Sequence, residues 1–160
     1  MKNHEWSPAE LKSKMEAYCA AAEHCETDAR MRLRQWKCDN RAEDEIIDYL
    51  IAENYISDER YAKAFVHDKL LYQGWGRVKI AYMLRAKKIS SSIIQSALVT
   101  INPDDYSRIL SHLISQRLNG SADNSADTPT PYSHPSLFRF LTQRGFTLDE
   151  INLALDNRMG

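Results

Sequence analysis

Three cysteines and a histidine crowd the first quarter of the chain: Cys19, His24, Cys25 and Cys38. Thiolate and imidazole suit zinc, but structural zinc sites use paired clips such as C-x2-C or H-x3-H, and these spacings supply none. Cys19 and Cys25 lie six residues apart and would face different sides of a helix. They read better as small buried hydrophobes and as the reduced thiols of a cytoplasmic protein. Nucleophilic chemistry has no firmer footing, since the chain holds no G-x-S-x-G turn. Gly74-Trp75-Gly76 is followed by Arg77 rather than by a Gly-Lys-Ser/Thr run, so it is no phosphate loop. It suits a joint between helices, with Gly74 in a left-handed turn, Gly76 capping the next helix and Trp75 stapling across. A base-stacking role for Trp75 is the sharper alternative. Seven carboxylates from Glu43 to Glu59, with no Lys or Arg among them, read as the solvated face of a helix. No enzyme, metal or cofactor is expected.

Charge is the informative feature. The 160 residues carry a net charge of only −1, which excludes a globally basic nucleic-acid coat. From 60 to 88, however, eight cations face one acid, Asp68: Arg60, Lys63, Lys69, Arg77, Lys79, Arg85, Lys87 and Lys88. Arg30, Arg32, Arg34 and Lys37 make a second, smaller basic stretch. Such segregation attracts polyanions, and binding would weaken steeply with salt.

The elements that must position these cations are helical. Glycine and proline number five each, too few turn residues for an all-β domain. Ser7-Pro8 with Glu10 reads as a capping box, flanked by Trp6 and Leu11 as a hydrophobic staple. Similar starts recur at Ser57, Gly76, Ser90, Asn102, Ser133 and Thr147, with weaker ones at Thr27 and Glu43. They predict about nine helices, near 8–23, 28–38, 43–54, 58–73, 77–87, 91–101, 103–118, 135–144 and 148–158. Residues 88–98 align without gaps on 145–155, and Ile46-Ile47 stands 47 residues before Ile93-Ile94. The reading is all-α: three tandem three-helix repeats, 1–56, 57–102 and 103–160, stacked in a curved, elongated array. Residues 119–135, with three prolines and no Lys or Arg, read as a mobile polar insert in the third repeat. No apolar run approaches the length of a membrane span, no secretory signal opens the chain, and nothing demands more than a monomer.

The stretch Tyr55-Ile56-Ser57-Asp58-Glu59-Arg60-Tyr61-Ala62-Lys63-Ala64-Phe65-Val66 resembles the signature of the RecX regulatory family. Gly74, Gly76, Lys79-Ile80, Leu84 and Lys87-Lys88-Ile89 continue it. Glu23-His24-Cys25 with Arg30–Leu33, and Phe140–Phe146, resemble the first and third repeats. Lys88 stands where the family has Gly, Trp36 where it has Leu, and the insert is long. The resemblance implies a non-catalytic, cytoplasmic regulator in DNA repair and recombination. It would bind the RecA–single-stranded DNA filament and inhibit its assembly, ATPase and strand exchange. The eight cations from Arg60 to Lys88 would then face RecA and DNA. Asp58, Tyr61, Ala62, Phe65, Gly76, Ile80 and Leu84 would hold the repeat together. Two alternatives stay open: an independent DNA-binding helical protein, from the basic segment, and a helical scaffold for another protein, from the acidic run.

Overall fold

The computed structural model describes residues 5–119 and 127–159. Among the described residues the chain forms nine helices: α1 (Pro8–Ala21), α2 (Glu26–Gln35), α3 (Asn40–Ala52), α4 (Asp58–Gln73), α5 (Arg77–Ala86), α6 (Ser91–Val99), α7 (Pro103–Asn119), α8 (Pro135–Gln143) and α9 (Leu148–Met159). Residues 120–126 of the expected polar insert lie outside the described residues. In its described remainder, the Thr130 amide donates to the Ser133 hydroxyl.

The side-chain caps explain most helix starts. Ser7 and Glu10 close a capping box on α1, and Thr147 and Glu150 do the same on α9. Ser57 accepts from the Arg60 amide, Ser90 from Ile93, and Asn102 from Asp104 and Asp105. Three expected starts need correction. α2 begins two residues early, with Cys25 rather than Thr27 as its cap and no side-chain bond there. α3 begins at Asn40, because Asp39 accepts from the Ala42 amide; Glu43 lies inside the helix. α8 is preceded by His134 rather than Ser133, whose hydroxyl is spent on Thr130.

Five helix ends turn through the left-handed region: Lys37, Asn54, Gly74, Lys88 and Gly145. At Gly74 the turn costs little, and the Gly74 and Trp75 amides donate back to Leu70 and Lys69. At Lys88 (φ 61°) a side chain takes a left-handed turn that a glycine would adopt without strain.

The helices bury two cores. One gathers Leu11, Met15, Ala29, Leu33, Ile46, Ile47, Leu50 and Ile56 within α1–α3 and the residues after it, with Trp36 packed half-buried against it. The other runs through α4–α6 and α7–α9 without a break, from Ala62 and Val66 to Ile151 and Leu155. Within this second core α4 packs on α6 and reaches α7. The segment between α1 and α2 sends it one buried residue, Cys25.

Candidate nucleic-acid and partner interface

α4 and α5 carry all eight cations of the middle segment or end at them. The structure divides them into three kinds. Arg60, Arg77 and Lys87 are spent on other units. The Arg60 guanidinium bonds Glu23 (3.0 Å) and the Asn54 carbonyl. Lys87 Nζ meets Asp28 Oδ1 at 2.6 Å, and that bond raises the lysine's pKa. Arg77 pairs with Glu150 at 3.1 Å and lies 3.8 Å from the Tyr106 ring centroid.

Lys69 and Lys79 are held by one indole. Their ammonium groups stand 4.9 and 4.2 Å from the Trp75 ring centroid. Trp75 is half-buried and meets Phe65 edge-on, so it is not an open stacking platform. A cation on a ring face keeps its N–H donors for an anion. Lys63, Arg85 and Lys88 are exposed and make no ion pair among the described residues. Arg85 shares one face of α5 with the exposed Val78 and Tyr82.

The N-terminal amides of α5 look at first like a phosphate cradle, but the third unit occupies them. Gly76 donates to the Arg144 carbonyl (2.7 Å), Val78 to the Gly145 carbonyl, and Arg77 to the Tyr106 hydroxyl. A Cβ on Gly76 would stand 2.5 Å from Gly145 backbone atoms, and one on Gly145 would stand 2.5 Å from Lys79. Gly76 is therefore required for backbone contact between units, in addition to its place as the cap of α5.

The second basic stretch is mostly internal. Arg30 bonds Glu26, Glu43 and Asp44, and Arg34 bonds Glu43. Arg32 lies over Tyr18 and Trp36, whereas Lys37 is exposed. Glu43 is only 2% exposed, which corrects the solvated-face reading at that position. Burial alone would raise its carboxyl pKa, but hydrogen bonds and charge from Arg34 and Arg30 bring it below the ordinary value.

The signature residues fall on structural duties. Ala62, Ile80 and Leu84 are fully buried, and Phe65 packs between Tyr61 and Trp75. Burial pushes the Tyr61 phenol far up. Asp58 does more than start α4: its carboxylate accepts the Glu26 amide at 2.9 Å, at the head of α2. Thr27 adds a bond to the Lys87 carbonyl. No local pattern could reveal these long-range pairings. The cysteines are less uniform than expected: Cys25 is buried, with its thiol pushed up to about 11 by burial, while Cys19 and Cys38 are only half-buried. Among the described residues, no cluster of His, Cys, Asp and Glu is placed to hold a metal ion, and no helix is long and apolar enough to cross a membrane.

Residues 57–98, the segment with the signature and the basic patch, match the family profile described as RecX, second three-helix domain. Two relatives named regulatory protein RecX extend the similarity. That of Streptococcus agalactiae serotype V is 30% identical over 140 residues, covering 88% of this chain and 52% of the relative. That of Clostridium botulinum (strain Alaska E43) is 31% identical over 134 residues, covering 84% and 61%. The chain belongs to the RecX family. It spans about half the length of the RecX relatives it matches first, 53% and 52% for two of them. The fold agrees as well. The crystal structure of RecX from Lactobacillus salivarius superposes with a TM-score of 0.80 at 19% identity, over 94% of this chain and 95% of that one. Another, titled regulatory protein RecX, gives 0.74 at 20% identity over 93% and 73%. RecX proteins are regulators by name, and the folded residues here make an all-α repeat array of the RecX kind.

Proposed function

We propose that this chain is a non-catalytic, cytoplasmic, monomeric regulator of a RecA recombinase. It binds the RecA–single-stranded DNA filament and inhibits its assembly, ATPase and strand exchange. The observation that carries this reading is the match of residues 57–98 to the second three-helix domain of RecX. In this reading the repeats run 1–56, 57–102 and 103–160. Lys63, Arg85 and Lys88 are the outward contacts, aided by Lys69 and Lys79 on Trp75. Arg60, Arg77 and Lys87 act through the joints they hold, although sequence grouped them with the contacts. The remaining basic residues, Arg32 and Lys37 foremost, add general attraction for phosphates.

The test is the ATPase of the cognate RecA on single-stranded DNA, titrated with this protein. Inhibition well below one regulator per recombinase supports the reading. Lys63→Glu/Arg85→Glu/Lys88→Glu should remove inhibition while leaving the melting temperature unchanged, because none of the three has an ion-pair partner among the described residues. No inhibition by the folded wild-type chain would overturn it. The Lys69–Trp75–Lys79 arrangement favours a second reading, direct DNA binding without a recombinase. That reading predicts inhibition only at DNA saturation and an affinity that falls steeply with salt.

A further inference from the structure

A cavity of about 460 Å³ lies where the second and third units meet and has no role in the account so far. Its volume is in the range of about 300–1,000 Å³ typical of ligand sites. Leu71, Ile109 and Leu113 give it aliphatic walls, while Arg108, His112 and Arg144 bring cationic and titratable groups. No Asp or Glu lines it. Gly74 also lines it, and a Cβ there would stand 3.4 Å from Leu113. Leu71 remains 48% exposed, an apolar surface left uncovered in the free chain.

The cations are not used up by strong partners. Arg108 meets Asp105 at 2.9 Å, but that pair is 71% and 41% exposed and exchanges readily with another carboxylate. Arg144 donates to the Gln73 carbonyl and lies over Phe140, with no carboxylate among its described partners. The mix of aliphatic walls and a cationic border rejects two simple occupants. A wholly apolar ligand would cover the charges of Arg108 and Arg144 while giving Arg144 no carboxylate. A run of phosphates would leave Leu71, Ile109 and Leu113 uncovered. We infer that this cavity docks an acidic peptide segment through one bulky apolar side chain, with flanking carboxylates on Arg108 and Arg144. The site bridges α4 and α7, so its occupant ties the second unit to the third. It stands independently of the recombinase reading.

The probe is a short fluorescein-labelled peptide of Asp, Glu and Ser with one central Phe, bound to the full chain and followed by anisotropy. A control peptide carries Ala in place of Phe. Saturable binding is expected, weaker by about tenfold for the Ala peptide and for each of Leu71→Ala and Arg108→Ala, as for anchors of small interfaces. Both positions are substantially exposed, so circular-dichroism melting of the variants should match the wild type. Absence of saturable binding overturns the inference. So does equal binding of the two peptides, which would mean charge attraction alone, or wild-type binding by both variants. Displacement of the peptide by an equimolar oligo-dT strand also overturns it, by assigning the cavity to nucleic acid.

Discussion

The two joints of this molecule are built from different materials. Between the second and third units the joint is backbone on backbone. Gly76 and Gly145 touch with no side chain between them, and one apolar core runs through both units. Between the first and second units the joint is largely polar: Glu26 on Asp58, Thr27 on the Lys87 carbonyl, Asp28 on Lys87 and Glu23 on Arg60, with Cys25 as the buried plug. The first unit keeps its own separate core. Hydrogen bonds and half-exposed ion pairs contribute about 1 kcal/mol or less each, whereas a shared core adds with every side chain it buries. The second and third units should therefore open as one body, and the first should open by itself.

Substitutions that break one joint but not the other sharpen this contrast. Gly76→Ala forces a Cβ to within 2.5 Å of Gly145 backbone atoms that cannot withdraw. It should cost about 3 kcal/mol in chemical denaturation and lower the main transition of the second and third units. Glu43→Ala strips the buried carboxylate from Arg30 and Arg34 and should cost the first unit about 2 kcal/mol, since both arginines keep some solvent. The same carboxylate has a folded pKa below its ordinary 4.5. Its stabilisation is thus complete above about pH 4.5 and is lost as pH falls through the folded value. A Glu43→Gln chain should lose less stability than the wild type between neutral pH and pH 3, measured by urea unfolding at each pH. Asp58→Ala unties the head of α2 and should cost about 1 kcal/mol, read as earlier unfolding of the first unit with the second transition unmoved. Lys88→Gly should stabilise the chain by about 1 kcal/mol by relieving its left-handed turn, and should leave the division between the two bodies intact.

Most of the fold was legible because it is written locally. Ser7-Pro8-Ala9-Glu10 states a helix start within four residues, and the Ile and Leu spacings state which face is buried. Where the local signal was poor the reading slipped: Cys25 caps α2 without a side-chain bond, so Thr27 looked the better start. The candidate site was legible as a charge pattern but not as a surface. Arg77 and Lys87 look like any other cation in a basic run. Only the fold brings Glu150 and Asp28 to them across 73 and 59 residues. Trp75 could be read as staple or stacking platform from its neighbours, and the two lysines on its ring decide against an open platform.

The contrast between the joints is tested most directly by native-state hydrogen exchange in increasing denaturant. Two probe sets suffice: Leu33, Ile47 and Leu50 in the first core, and Ile80, Ile114, Leu141 and Ile151 in the second. The first set should exchange through an opening of lower free energy than the second, and the two isotherms should stay separate until global unfolding. A single isotherm for all seven amides would mean that the polar joint couples the first unit as tightly as the glycine contact couples the third.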